Sequence, residues 1–328
     1  MKTALTIDGN YLLNKDVFIL LNMKTLHQDL LNLLNIDMGK LMKLYPFDRI
    51  YFVSDSKVGY WRKQIYSDYK TSRKHDDKVD WGWVFEEYNT FIDMMGNNPQ
   101  IEQVRIDYAE GDDIIAYIMN KNNEEGYSNV LVASDSDLHQ LLRFDLDKNY
   151  INIAYNYKFS DEKVFLPENY RVFLSENKST SRNNLFDMNN DDDFIEFLED
   201  LIDRTRSSEV KTEELLFVKL VSGDKKDTIT SVFEKVSDKG KISGIGKTGA
   251  LSMYNLYKET YGSDSINFDS DEFINKCVEI VSFSKKIEDE ELKLSIRAKL
   301  KRNRKLTKLT SNYLPGFLLE DFENIIRI

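Results

Sequence analysis

Three short apolar runs in this chain each lead into acid, and no other feature restricts the fold as much. Ala4-Leu5-Thr6-Ile7 precedes Asp8, Ile50-Tyr51-Phe52-Val53 comes just before Asp55, and Val130-Leu131-Val132-Ala133 precedes Ser134-Asp135-Ser136-Asp137. Short apolar runs rich in β-branched and aromatic residues read as buried strands. Between them, Leu20-Leu21, Leu26, Leu30-Leu31, Leu33-Leu34 and Met38 recur at helical spacing, as do Val84-Phe85, Tyr88, Phe91-Ile92 and Met95. Strand and helix in alternation predict an α/β fold over residues 1–150, a central mostly parallel sheet flanked by helices. In such sheets the carboxyl ends of neighbouring strands open onto one crevice. The acids should converge there.

Nine carboxylates belong to this pattern: Asp8, Asp55, Glu110, Asp112, Asp113, Asp135, Asp137, Asp224 and Asp227. Ile114, Ile115 and Ile118 face inward from a helix predicted to begin near Ala109, so Glu110, Asp112 and Asp113 occupy its first turn. The helix dipole offers a simpler reading of those three as capping acids. Any single Asp is more often a cap or a surface residue, and the weight lies in their joint occurrence. Gathered carboxylates repel one another unless cations relieve them. An all-oxygen donor set suits magnesium or manganese. Two such ions about 4 Å apart clamp both oxygens of an in-line displacement at phosphorus. The expectation is metal-assisted phosphate chemistry.

The net charge of −11 at first opposes a polyanionic partner, but binding follows local patches rather than totals. Arg297 to Lys308 holds seven basic residues and no acid, and a second patch holds Lys57, Arg62, Lys63, Lys70, Arg73 and Lys74. Each patch alone reads equally well as a solvated helix face. No apolar run approaches the roughly 18 residues of a membrane span. The first residues enter a strand-like run without a signal sequence, and the single Cys277 fits a reducing cytosol. Together these predict a cytoplasmic protein with no membrane partner.

Residues 151–210 turn rich in Asn and Asp and read as an insertion completing the core, with Glu176 to Asn190 a surface excursion. The Asp187–Asp193 run is no EF-hand, because it lacks the glycine at position six and the glutamate at position twelve. Residues 211–328 are mostly helix-like around a glycine-rich turn, Gly240 to Gly249. Gly244-Ile245-Gly246-Lys247-Thr248 ends like a P-loop, but Lys241 stands where the first glycine belongs and no strand is expected before it. A hairpin between two helices, with backbone N–H groups meeting a nucleic-acid phosphate, is the better reading. Phe317-Leu318-Leu319 and Phe322 read as packing back on the protein rather than docking a partner. His27, His75 and His139 are scattered, so covalent catalysis and zinc binding are not expected.

Five stretches together resemble the flap endonuclease and 5′-3′ exonuclease family, in particular its T-even bacteriophage ribonuclease H branch. They are Ser56-Lys57-Val58-Gly59-Tyr60-Trp61-Arg62, Tyr69-Lys70-Thr71-Ser72-Arg73, Ala109-Glu110-Gly111-Asp112-Asp113, Ser134-Asp135-Ser136-Asp137 and Gly223-Asp224-Lys225-Lys226-Asp227. The resemblance runs over about residues 3–260. It implies a PIN-like 5′ nuclease core with a helical duplex-binding region that contains a helix-turn-helix variant. Asp8, Asp55, Glu110, Asp112, Asp113 and Asp135 would lie near a first metal, and Asp137, Asp224 and Asp227 would hold a second. Lys70, Arg73 and Arg62 would meet the scissile phosphate, with an arch over about residues 70–95. From the two basic patches and the glycine turn, rather than from the resemblance, Lys57, Lys63, Lys74, Gly244, Gly246, Lys247, Thr248, Arg302, Arg304 and Lys305 are expected to contact nucleic acid. A monovalent cation would sit in the glycine hairpin.

The implied activity is magnesium- or manganese-dependent 5′-3′ exonuclease, flap endonuclease and ribonuclease H cleavage of duplex DNA and RNA–DNA hybrids. The implied setting is a monomer that removes primers or flaps during phage replication in the host cytoplasm, with single-stranded-DNA-binding protein or sliding clamp as protein partners. A PIN-like nuclease of single-stranded RNA and a catalytically inactive DNA-binding adaptor are the alternatives. Three departures stand out: Thr228 follows the last acid where the family has Asn, Lys235 to Lys241 lengthens the link to the glycine hairpin, and the 151–210 segment is long.

Overall fold

The computed structural model describes residues 1–73, 76–158, 161–170, 192–237, 239–262 and 264–326. They form two compact units. The first comprises Met1–Tyr60, His75–Val210 and Leu309–Ile328; the second comprises Trp61–Lys74 and Lys211–Lys308.

The first unit is built on a mixed sheet of eight strands among the described residues: β1 (Lys2–Asp8), β2 (Arg49–Val53), β3 (Glu102–Val104), β4 (Tyr127–Val132), β5 (Arg143–Asp145), β6 (Tyr150–Asn156), β7 (Lys163–Pro167) and β8 (Arg206–Val210). Their order is β3-β2-β1-β4-β6-β7-β8, with β5 also pairing with β6. The five strands from β3 to β6 in that order run parallel, whereas β5 and β7 are antiparallel to β6. Every residue of β4 and β6 is buried. In β4 that burial is why Val130–Val132 reads as an unbroken apolar run rather than an alternating one.

Helices cover both faces. Leu5 and Ile7 of β1 share a core with α1 (Gly9–Met23), α2 (Leu26–Met42), α4 (Trp81–Gly96) and α6 (Asp192–Arg204). The helix α5 (Gly111–Glu124) packs on β1, β2 and β4. Phe322, on α11 (Gly316–Ile325), sets its ring 5.1 Å from Tyr117 of α5. Leu318 and Phe322 are fully buried, in line with the expectation that this segment packs back on the protein.

In the second unit, a short α3 (Arg62–Ile65) accompanies α7 (Thr212–Ser222), α8 (Lys247–Tyr261), α9 (Asp271–Lys285) and α10 (Glu290–Thr307). Phe217, Tyr257 and Phe273 form its aromatic centre, with ring separations of 5.6 to 6.1 Å. A two-stranded antiparallel ribbon, β9 (Glu234–Val236) and β10 (Ile242–Gly244), precedes α8.

The boundaries differ from those expected. Residues 309–328 belong to the first unit, where Phe322 of α11 meets Tyr117 of α5. Residues 61–74 belong to the second, where Tyr69 packs with Ile229 and Leu306. Most of the stretch expected as an arch is α4, an ordinary core helix that buries Val84, Tyr88, Phe91 and Ile92. The excursion at 176–190 lies outside the described residues, while β6, β7, α6 and β8 extend the sheet.

A buried charge cluster ties α1 to α2 and to the end of β6. Asp16 is wholly buried and Asp37 nearly so. Lys15 Nζ lies 2.9 Å from Asp16 and also pairs with Asp37, and Tyr157 Oη donates to Asp37 at 3.0 Å. Burial pushes the Asp16 carboxyl up to about 7, opposed by Lys15 and reinforced by Asp37. Lys40 Nζ reaches Asp37 at 3.4 Å from a half-exposed position, which leaves Lys15 as the buried ammonium between the two carboxylates.

Candidate metal centre

The register of β1 explains why three acids meet one end of the sheet. Asp8 stands level with Val53 of β2, and Ile7 stands level with Val132 of β4. Asp55 lies two positions past Val53, and Asp135 lies two past Ala133, the residue level with Asp8. The two flanking strands thus carry an acid the same distance beyond the central one, at the carboxyl ends of parallel strands.

Each acid also does local structural work. Asp8 caps α1, its Oδ1 accepting the Tyr11 N–H at 3.0 Å. The Asp55 Oδ1 accepts the Gly111 N–H at 2.6 Å and so holds the start of α5. Glu110 and Asp113 form a reciprocal capping box, each accepting the other's backbone N–H, and both are buried. The helix starts at Gly111, with Glu110 as its cap, rather than near Ala109. Asp112, between them, is half-buried. Asp135 Oδ1 accepts the Asp137 N–H at 2.9 Å, which turns the chain after β4.

Burial is the main reason the Asp8 carboxyl is pushed up to about 7. The Tyr11 N–H pulls it back, and the charges of Asp55 and Asp135 push it further up. Asp8 therefore faces both neighbouring acids. Among the described residues no group of three or more His, Cys, Asp or Glu side chains is gathered so as to hold a metal ion. The donor chemistry nonetheless fits a hard divalent cation: the groups are oxygen acids, and positive charge would restore the ionised form of Asp8.

Several supporting groups carry no sequence signal beyond their spacing. Tyr11 sits three residues after Asp8, where an N-cap bond is made, and its hydroxyl reaches Asn156 at 2.9 Å and the Tyr157 carbonyl at 2.6 Å. Tyr88 Oη pairs with Ser54 Oγ at 3.0 Å. His139, just past Asp137, is held down to about 4 by burial, so it is neutral near pH 7. Gly9 leaves no room for a side chain: a Cβ would stand 2.6 Å from the Phe52 ring and inside contact distance of the Tyr88 hydroxyl. Gly9→Ala should therefore cost about 1–3 kcal/mol. Urea unfolding checks this, and an unchanged midpoint would contradict the close packing beside Asp8.

The remaining acids lie in the second unit, where two loops interlock. Lys70 N–H donates to the Asp227 carbonyl at 2.9 Å. Arg73 Nη2 and Nε reach Asp227 Oδ1 at 2.5 and 3.2 Å. Ser72 Oγ pairs with Thr228 Oγ1 at 2.9 Å. Thr228 adopts φ +61°, a left-handed conformation that suits Asn better than a β-branched residue. Its bond to Ser72 offsets that strain, which accounts for the departure at this position. Burial pushes the Asp224 carboxyl up, but Lys219 at 3.2 Å and the N–H groups of Lys226 and Asp227 outweigh it and hold it below the usual range. Lys70 and Arg73 thus share one loop pair with Asp224 and Asp227, although the sequence reading had put them in different domains.

Some of the basic residues expected at the surface are structural. Arg62 is 2% exposed and its Nε donates to the Leu306 carbonyl, so it is corrected to a packing residue. Arg304 is also buried and bridges the Phe268 and Ser270 carbonyls at 3.0 and 3.1 Å. Arg302 bonds Thr230 Oγ1 at 2.8 Å and lies over the Tyr66 ring. Lys299, Lys301 and Lys308 pair with Glu234, Asp271 and Asp269. The stretch 297–308 is therefore not an open basic tail, because α10 uses its charges to satisfy carbonyls and acids of its own unit. Lys305 stays exposed, as do Lys57, Lys63, Gly244, Gly246, Lys247 and Thr248. Lys74 lies outside the described residues. A strand, β10, does precede the glycine segment, contrary to expectation. It belongs to a two-stranded ribbon, and Lys241 still fills the P-loop's first glycine position.

Residues 3–187 match the model of the 5′-3′ exonuclease, N-terminal resolvase-like domain. The ribonuclease H of Enterobacteria phage T4 is 27% identical over 127 residues, 38% of this chain and 42% of that protein. A 5′-3′ exonuclease of Mycoplasmopsis pulmonis is 22% identical over 254 residues, 77% of this chain and 66% of that protein. The chain thus spans under half of one of these relatives and about two thirds of the other. In fold it resembles the zinc-bound 5′-exonuclease of bacteriophage T5, with a TM-score of 0.59, 16% identity and coverage of 99% of this chain and 98% of that one. A T5 D15 flap endonuclease in a pseudo-enzyme-product complex with DNA and metal ions gives a TM-score of 0.56 at 14% identity over the same shares. With more than half of its length matched to the domain model, the chain belongs to the 5′-3′ exonuclease family.

Proposed function

We propose that this protein is a divalent-metal-dependent 5′-3′ nuclease that hydrolyses phosphodiesters of duplex DNA and RNA–DNA hybrids, removing primers or flaps in replication. The observation that carries this is the placement of Asp8, Asp55 and Asp135 at the carboxyl ends of three adjacent parallel strands, with Asp8 driven up to about 7 by burial and by the other two. The relatives' names, and a neighbour's complex with DNA and metal ions, support the same chemistry.

Asp8, Asp55, Asp112, Asp135 and Asp137 would hold magnesium or manganese, and Glu110 with Asp113 would position them through the capping box. The family resemblance adds Asp224 and Asp227 for a second ion. When bound, the ions supply activated water and stabilise charge on the leaving oxygen. The protein's own share is positional. Tyr11 fixes the Asp8 carboxylate, Asp55 locks the first turn of α5, and Lys70 and Arg73 bring positive charge to the phosphate. Among the described residues no helix is long and apolar enough to cross a membrane.

Digestion of 5′-labelled nicked, flapped and hybrid duplexes with and without magnesium tests this reading. Asp112→Ala and Asp135→Ala should each reduce cleavage by about 10³-fold or more while duplex binding survives. Full activity in either variant would refute the site. A preference for structureless RNA would favour the single-stranded RNA nuclease, and no turnover on any substrate would favour the adaptor.

A further inference from the structure

The β9–β10 ribbon stands open to solvent. Residues 235–237 and 239–244 are all exposed, and Ile245, which follows, is buried at 3%. Pairing sets Ile242 opposite Val236 and Ser243 opposite Lys235. The Ser237 N–H donates to the Lys241 carbonyl at 3.0 Å. Side chains alternate between the two faces of a strand. Lys235, Ser237, Lys241 and Ser243 therefore share one face, and Val236 and Ile242 share the other. Lys239 sits in the turn beside Gly240, whose φ of +73° suits glycine.

One face is thus basic and hydroxylic, the composition that a phosphodiester backbone takes. None of Lys235, Lys239 and Lys241 pairs with an acid among the described residues, in contrast to Lys299 and Lys301 of α10. Exposed Gly246, Lys247 and Thr248 follow at the start of α8. Across an open cleft of about 690 Å³ from the ribbon stand Lys285 and Lys286, with Glu234, Glu288 and Asp289 also in its lining. The ribbon's own Lys235, Lys239 and Lys241, exposed on a chain of net charge −11, point to a polyanion. A two-stranded ribbon also has the width that a duplex groove admits. A flat acidic protein surface would make less use of the alternating hydroxyls.

We propose that the ribbon is an additional duplex-binding element, taking the phosphates of one DNA strand on Lys235, Ser237 and Lys241 with Lys239 at its tip. This deepens the nuclease reading and rests on it for the choice of duplex. It also assigns a purpose to Lys235–Lys241, the segment that lengthens the link to the glycine hairpin.

The test is equilibrium binding of the full chain to a blunt DNA duplex in EDTA, measured across a salt series, so that no cleavage is required. Lys235→Ala/Lys239→Ala/Lys241→Ala should weaken binding about tenfold or more. It should also reduce the slope of log affinity against log salt by about 2 to 3, near 0.9 per lost phosphate contact. Circular dichroism monitors folding. If that variant fails to fold, Lys285→Ala/Lys286→Gly across the cleft carries the same test, glycine being suited to the φ of +56° at Lys286. An unchanged slope and affinity overturns the proposal. So does a loss confined to a single strand of the same length or to poly-glutamate used as competitor. A reduced slope in a protein that never cleaves with magnesium would leave the ribbon assignment standing and refute the nuclease reading instead.

Discussion

Asp8→Asn should raise the thermal stability of the metal-free protein and at the same time lower magnesium-dependent cleavage by about 10³-fold or more. The two effects share one cause. The Asp8 carboxyl titrates near 7 in the fold, against about 4 in the unfolded chain. Between those values the unfolded chain binds fewer protons than the folded one, so stability falls as pH rises from about 4 to about 7 and is level above that. Roughly three pH units at 1.36 kcal/mol each bound the loss at about 4 kcal/mol. Asparagine removes the ionisable group, and with it that part of the pH dependence. Asp16, also raised to about 7, titrates in the same window and stays in the variant, so the difference between the two proteins isolates Asp8. Melting curves across this range with and without magnesium provide the measurement. Magnesium should raise the wild-type midpoint above neutrality and leave the variant nearly unmoved. A variant that melts lower than wild type at neutral pH without metal would show that the Asp8 charge is not repelled there.

The second large effect concerns the buried cluster in the first unit. Lys15→Met should destabilise the protein by about 3–5 kcal/mol at neutral pH, because the buried Asp16 would then face Asp37 without an ammonium of its own, Lys40 reaching only Asp37 from a half-exposed position. The loss should shrink as pH falls below the raised Asp16 value, where that carboxyl takes up a proton. Lys15→Met/Asp16→Leu should recover most of the stability, since an apolar replacement of a buried ion pair is often neutral or better. Urea unfolding of both variants checks the pair. Similar losses in the single and double variants would mean that Lys15 acts through packing on Tyr157, whose ring lies 4.5 Å from its Nζ, rather than through charge.

The parts of the centre legible beforehand were those governed by local rules. Asp8, Asp55 and Asp135 follow directly after strand-like runs, and strand ends are where a parallel sheet opens. Glu110 caps a helix whose isoleucines marked its inner face, Asp112 and Asp113 lie in its first turn, and the capping reading of Glu110 and Asp113 holds in the capping box. Arg62 and Arg304 were misread for a physical reason. A basic residue on a helix looks the same in sequence whether its guanidinium meets water or a buried carbonyl, and only the fold supplies the Leu306, Phe268 and Ser270 carbonyls that they bind. The ribbon was hidden because strands of three residues are too short for alternation to register.

By itself the sequence determined the α/β class, the sheet strands that carry acids and the order of the motifs, since periodicity and strand-end placement act over neighbouring residues. Tertiary structure decided what depends on residues distant in the chain. It joined the Lys70–Arg73 loop to Asp224–Asp227 through backbone and side-chain hydrogen bonds. It gave 309–328 to the first unit, with Phe322 buried beside Tyr117 of α5, and it turned the basic stretch of α10 inward. Hydrogen-bond partners and buried area come from whichever segments meet in space, and their distance along the chain does not reveal them.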